Sequence, residues 1–196
     1  MKYLIVGLGN IGSEYTDTRH NIGFKILDAL AEASNIVFSH KRHGFISEYK
    51  YKSRTYVLLK PTTYMNLSGK AVNYWLQKTK IDISKMLVLV DDLALPFGHL
   101  RMRTSGGDGG HNGLKNINQV LGHQNYARLR FGISSSFETG NQVDYVLSSF
   151  SPEEELLLPE RMATVKKLIE SFGTLGAERT MNIFNNSKPP EPAQGC

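Results

Sequence analysis

The chain has a single cysteine, Cys196, among 196 residues. No disulfide can form within it, a cysteine nucleophile is not expected, and the thiol count fits a reducing compartment, the cytoplasm. No apolar run approaches the roughly 20 residues that cross a bilayer, so no membrane contact is expected. The short run Tyr3–Val6 stops at glycines and reads as a buried first strand rather than a secretion signal. There is no G-x-S-x-G elbow of a serine hydrolase. His40 and His43 have Lys41 and Arg42 between them and no second pair of ligands follows, so no zinc site is expected. Gly106, Gly107, Gly109 and Gly110 crowd one loop without the lysine of a P-loop. They suit a phosphate nest, a mobile gate or a plain connection.

Acidic residues are scarce in two stretches. Lys41, Arg42, Lys50, Lys52, Arg54 and Lys60 face a single acid, Glu48, and the net charge is +5. Arg101, Arg103, Lys115, Arg128 and Arg130 form a second basic group, while acids gather elsewhere, as at Glu153, Glu154 and Glu155. A surface of one sign is the footprint of a phosphate-bearing partner, and equally of a solvated basic face. Charge alone leaves both open.

Hydrophobic periodicity predicts one α/β domain over residues 1–185, with a mixed, mostly parallel central sheet flanked by helices. Strands are expected at Tyr3–Val6, Phe45–Lys52, Thr55–Leu59, Met86–Val90, through Arg101 and Arg103, and at Leu129–Ile133, with a further candidate at Ile36–Phe38. Helical spacing marks Ile22–Ala33, Ala71–Lys78 with Ser68 as N-cap, Leu114–Leu121, the stretch from Pro152 to Phe172, and Ala177–Phe184. Residues 186–196 are rich in proline and read as a flexible tail.

Gly7, Gly9 and Gly12 spell the dinucleotide fingerprint after a strand. That fingerprint needs a helix opening at the third glycine. Helical spacing here begins only at Ile22, and no acid for a ribose closes the next candidate strand. The glycines are expected to turn the backbone tightly and present Asn10.

Three segments carry polar groups suited to chemistry. These are Asn10 with Thr18–Asn21, then Tyr64–Asn66, then Asp91 with His111 and Asn112. Ligands of open α/β sheets bind at the carboxyl ends of strands. His20 can take a proton near neutral pH, and needs a partner to orient it. Asp91, an acid closing an apolar strand, is the best candidate; the alternative is that Asp91 or Asp92 caps a turn. Asn66 offers a donor near a helix start, or is a turn residue. Met65 is expected in the core more than at a substrate. The residues alone give a hydrolase or a binding protein, and no substrate.

Two longer stretches carry a resemblance. Tyr15-Thr16-Asp17-Thr18-Arg19-His20-Asn21-Ile22-Gly23 and Gly107-Asp108-Gly109-Gly110-His111-Asn112-Gly113-Leu114-Lys115 resemble the two signatures of bacterial-type peptidyl-tRNA hydrolases. Pro61–Gly69 and Val90–Leu93 match in order and spacing, and the resemblance covers about residues 1–185. It implies an esterase that frees tRNA from peptidyl-tRNA, with His20 as general base and Asp91 supporting it. It further implies Asn10, Asn66 and Asn112 as substrate-binding residues. Tyr15, Tyr64, Met65 and His111 stand at positions near the substrate, and Arg103 and Arg130 at positions that hold the tRNA 5′-phosphate. No metal or cofactor is expected, because an aminoacyl ester is already activated. The expected partner is tRNA and the expected state a monomer. A non-catalytic RNA-binding relative is the rival, and the His20–Asp91 pair argues against it. Ile11, Tyr64 and Arg103 depart from the commoner proline, phenylalanine and lysine, and Asp108 adds a negative charge where RNA should pass.

Overall fold

In the computed structural model, which describes residues 1–185, Ser187 and Pro189, the chain opens with strand β1 (Lys2–Gly7). Helix α1 (Ile22–Ala33), strands β2 (Ser39–Lys41), β3 (Gly44–Tyr51) and β4 (Arg54–Pro61), and helix α2 (Ser68–Thr79) follow. Then come β5 (Met86–Asp92), β6 (Leu100–Arg103), α3 (Asn112–Leu121), β7 (Ala127–Gly132), α4 (Gln142–Val146), α5 (Pro152–Leu175) and α6 (Ala177–Phe184). The expected tail, residues 186–196, lies outside the described residues apart from Ser187 and Pro189.

The strands form one sheet in the order β2-β3-β4-β1-β5-β7-β6. β4, β1, β5 and β7 run parallel at its centre, and the pairs β2–β3, β3–β4 and β6–β7 are antiparallel. Parallel strands covered on both faces read as near-continuous apolar runs, as β1 and β5 do. Alternation then divides each strand between two cores. Tyr3, Ile5, Leu87 and Leu89 pack with Ile26, Leu27 and Leu30 of α1 and with Val165, Leu168 and Ile169 of α5. Leu4, Val6, Val88 and Val90 pack with Val72 and Trp75 of α2 and with Leu114 and Ile117 of α3. After β1 the chain leaves toward β4, and after α2 it returns to β5 on the opposite side of β1. A crevice at the carboxyl ends of β1 and β5 is where such a sheet binds ligands.

The glycines after β1 have a packing reason. A Cβ on Gly7 would sit 2.3 Å from the Gly23 carbonyl oxygen, and one on Gly23 2.5 Å from the Leu8 nitrogen and 2.7 Å from the Leu89 oxygen. The N-terminus of α1 is thereby pressed onto the ends of β1 and β5. No helix starts at Gly12, and only a 3-10 turn over Ser13–Tyr15 follows it.

Three elements differ from sequence expectation. Ile36–Phe38 is no strand. Ile36 and Phe38 fold back onto the core of α1 and α5 while Val37 is exposed, and pairing starts at Ser39. Ser68 is the first residue of α2 rather than its cap. A 3-10 turn over Met65–Leu67 runs straight into the helix, and the Ser68 hydroxyl donates back to the Met65 carbonyl at 2.7 Å. Helix α4 was not expected at all.

Arg19 ties α4 and α5 to the turn that carries His20. Its guanidinium donates to Ser148 Oγ at 2.6 Å and to the Ser149 carbonyl, pairs with Glu154 at 2.9 Å, and lies 4.4 Å from the Tyr145 ring centroid. Glu154 is also the capping-box residue of α5, accepting from the Ser151 N–H at 2.8 Å. One buried cation thus joins the end of α4 and the start of α5 to the turn that leads into α1.

Two outcomes are expected. Gly23→Ala forces backbone apart and costs about 1–3 kcal/mol, read as a fall in Tm of about 2–12 °C for a chain of this size; an unchanged Tm would mean that α1 can lift freely. Arg19→Ala speeds hydrogen exchange at the Tyr145 and Leu147 amides by roughly tenfold or more, leaving Leu87 and Leu89 protected. Uniform acceleration along the chain would show that the clasp is not local.

Candidate active site

Asp91, next to last in β5, is 5% exposed. Since Val90 faces α2 and α3, alternation turns Asp91 toward the start of α1. There the 3-10 turn Arg19–Asn21 presents His20, whose Nδ1 lies 2.9 Å and 3.0 Å from the two carboxylate oxygens. Burial opposes charging of the His20 ring, but the Asp91 charge and its hydrogen bond outweigh this and hold the pKa above the ordinary 6.5. Burial likewise opposes charging of Asp91, yet His111 and His20 hold its carboxyl well below the usual carboxylate range. With Nδ1–H given to Asp91, the Nε2 lone pair of neutral His20 has no protein partner among the described residues.

His111 is bound differently. Its Nδ1 accepts from the N–H groups of Gly113 and Leu114 at 3.1 and 3.4 Å, which makes it the N-cap of α3. An accepting Nδ1 places the proton of the neutral ring on Nε2, which donates to Asp91 Oδ1 at 2.9 Å. Both nitrogens are thus engaged, and His111 is no free base. His20, Asp91 and His111 are a set that could hold a metal ion, their ligand atoms lying within 4.8 Å of one another. A metal would have to displace the His111 Nε2 proton, which the helix cap keeps in place.

These groups line a cleft of about 510 Å³ together with Asn10, Tyr64, Met65, Asn66, Asn112 and Arg130. Asn10 is clamped from behind. Asn21 Oδ1 accepts from its N–H at 2.8 Å, and Asn21 Nδ2 donates to its carbonyl at 2.9 Å. Asn10 Oδ1 accepts from the Met65 N–H at 3.2 Å, which leaves the Asn10 amide protons without a protein acceptor among the described residues. The side chains of Asn66 and Asn112 are exposed at the cleft and form no hydrogen bond with the described residues. Tyr64 stands 71% exposed on the lip, whereas Met65 is buried against Leu8 and Gly113.

The basic residues divide. Arg130 is in the cleft wall, donating to the Gly107 carbonyl at 2.7 Å with its other nitrogen 3.6 Å from Asp92. Arg103 is exposed on the edge strand β6, outside the cleft wall. Tyr15 also lies outside it, its carbonyl accepting from the Thr18 hydroxyl at 2.8 Å. Arg128 does not belong to the basic surface where its sequence group placed it. It is 0% exposed, stacks on Tyr126 at 4.1 Å and donates to the carbonyls of Gly106 and Gln124 at 2.6 and 2.7 Å. Asp108 is half-buried and accepts from the Gly110 N–H at 2.8 Å, so its charge supports the glycine loop. That loop is pinned rather than free.

Sequence reasoning grouped Arg19 and Asn21 with the first polar segment but gave neither a role of its own, and it missed the far wall of the cleft, made by Gln142, Val143, Val146 and Leu147. Asn21 and Arg19 stood in the first signature without a role. The far wall had a signal, apolar residues at 143, 146 and 147 in helical spacing, but on a five-residue helix it is easily passed over.

The comparisons with known proteins follow the same lines. The family model for peptidyl-tRNA hydrolase matches residues 4–192. A peptidyl-tRNA hydrolase of Cytophaga hutchinsonii is 57% identical over 188 residues, 96% of this chain and all of that protein. One from Bacteroides fragilis is 56% identical over 185 residues, 94% of this chain and 99% of that protein. The crystal structure of peptidyl-tRNA hydrolase from Acinetobacter baumannii superposes with a TM-score of 0.89 at 33% identity, covering 95% of this chain and 96% of that one. Matched along nearly its whole length by the family model, the curated relatives and a solved structure, the chain belongs to the peptidyl-tRNA hydrolase family.

Proposed function

We propose that the chain carries out its family's reaction, hydrolysis of the ester between peptide and tRNA, with His20 as general base and Asp91 as its orienting carboxylate. The observation that supports these roles is the asymmetry of the two histidines. Both bind Asp91, but only His20 keeps a ring nitrogen with no protein partner among the described residues. Neutral His20 takes a proton from water through Nε2, and the imidazolium that forms is stabilised by the carboxylate on Nδ1. Attack on the ester carbonyl puts negative charge on its oxygen. Amide donors of Asn10, Asn66 and Asn112 around the cleft supply hydrogen bonds to that oxygen and to the peptide backbone. Collapse of the adduct breaks the bond to the ribose oxygen, which leaves with the proton held by the His20 imidazolium. Tyr64 on the lip and Met65 beneath it bound the space for the terminal adenosine and the acyl group. Arg130, with exposed Arg103 beyond it, binds the tRNA 5′-phosphate, and Tyr15 supports the turn before His20 from outside the cleft. No step calls on a metal. The working unit is one chain in the cytoplasm. No helix among the described residues is long and apolar enough to cross a membrane.

Release of tRNA from an N-acetyl-aminoacyl-tRNA tests these roles. His20→Ala lowers the rate by about 10²–10⁴-fold while tRNA binding persists. The kcat/KM profile of the wild type falls on the acid side with an apparent pKa above 6.5, because the base must be neutral and Asp91 holds its proton on. Asp91→Asn removes that charge, so its residual activity shows a limb displaced to lower pH. Undiminished turnover by His20→Ala would withdraw the base assignment, and tRNA binding without release by the wild type would point to the RNA-binding relative.

The phosphate role is tested by salt. Replacing Arg103 and Arg130 by alanine weakens tRNA binding and makes log Kd against log salt shallower by about one to two units. An unchanged slope would place the 5′-phosphate elsewhere.

A further inference from the structure

A second hollow, larger than the catalytic cleft, runs between α1 and α5, with a volume of about 1270 Å³. Asn10 stands in the wall of both, and Asn21, which clamps Asn10, stands in the wall of the second. The sheet order fixes which side of the chemistry this is. Asp91 is on β5, Arg130 on its neighbour β7, and Asn10 just beyond β1, the other neighbour. If the phosphate end of the substrate lies at Arg130, the acyl chain leaves His20 on the β1 side, past Asn10. The groove begins there.

We propose that the peptide upstream of the esterified residue lies in the groove between α1 and α5. The proposal rests on the roles given above to Arg130 and Asn10, and goes beyond them in naming where the chain runs. The α1 wall extends from Phe24 to Ala33, about 13 Å of helix, which matches about four residues of extended peptide. Peptides of every sequence reach this enzyme, so the groove must accept backbone rather than particular side chains. Ala29 and Ala33 on α1 and Ala163 on α5 leave room, while Leu158 and the adaptable Met162 give an apolar wall. Lys166 and Glu170 put both charge signs on the rim, so neither acidic nor basic peptides are repelled outright.

The test compares an N-acetyl-aminoacyl-tRNA, which ends at the cleft, with a pentapeptidyl-tRNA, which fills the groove. The wild type is expected to cleave the longer substrate with a higher kcat/KM. Ala163→Trp, which narrows the groove from the exposed face of α5, raises KM for the pentapeptidyl-tRNA by about 3- to 10-fold and leaves the short substrate unchanged. Equal kcat/KM for both substrates, or equal loss on both in Ala163→Trp, overturns the proposal. A second arm does not depend on that variant. Pentapeptidyl-tRNA with a photoreactive N-terminal residue, bound to His20→Ala, is expected to cross-link within residues 24–33 or 155–170. Cross-links at residues 64–67 or 142–147 overturn the proposal. If the wild type cleaves neither substrate, the roles assigned at the cleft fall, and the cross-linking pattern still decides the groove.

Discussion

A carboxylate removed from water has to be compensated where it stands, and the Asp91 carboxylate is the group around which this fold closes. Three elements converge on it. The end of β5 carries it, the start of α1 brings His20, and the start of α3 brings His111. Each approach has its own local cause. Gly7 and Gly23 let α1 press onto the strand ends. Gly113 lets α3 approach Leu8 and Met65, where a Cβ would come within 2.7 Å of each. His111 reaches Asp91 only because its other nitrogen caps α3. Losing any one of these contacts leaves a buried charge short of a partner, so the geometry of the His20–Asp91–His111 set and the packing of the helices are one constraint.

The asparagines follow a similar division of labour. Asn21 spends its side chain on the backbone of Asn10, and Asn10 spends its oxygen on Met65. What remains at the cleft is a set of amide donors, which in the mechanism proposed above meet the charge that develops on the ester oxygen. On the β7 side the glycine loop is held by Arg128 from beneath and Arg130 from the side. Basic residues there are divided between building the wall and presenting charge.

The apolar runs of β1 and β5, the helical spacing of α1, α5 and α6, and the acid closing β5 at Asp91 were all legible in the sequence, because each is a local pattern imposed by burial. The partnership of His20 with Asp91 could be inferred from chemistry, since one needs an orienter and the other needs pairing. What escaped depended on three-dimensional neighbours. Arg128 and Arg130 alternate onto the same face of β7, yet one is wholly buried and the other is not, because the glycine loop folds over the first. Ser68 has the right residue type for a cap, but the 3-10 turn before α2 takes the capping position away. Ile36 and Phe38 are strand-like apolar residues that pack against the core of α1 and α5 rather than pairing. The inward use of both His111 nitrogens was invisible without the coordinates of α3.

The His20–Asp91 pair also sets activity against stability. A raised histidine pKa stabilises the fold fully below the ordinary value of 6.5, and the contribution fades as pH rises through the folded value. A depressed carboxylate pKa contributes above the ordinary 3.8 and fades as pH falls through the folded value. The pair therefore supports the fold most when His20 is charged, and a charged His20 cannot act as a base. With His20 as the proposed base, catalysis runs at the pH where this contribution is being lost. His111 resolves the conflict, because its Nε2–H donates to Asp91 whether or not His20 carries a proton. A neutral His20 leaves behind a carboxylate that is still hydrogen-bonded from two sides, so the mechanism proposed above lets His20 lose and regain its proton while Asp91 stays charged and in place.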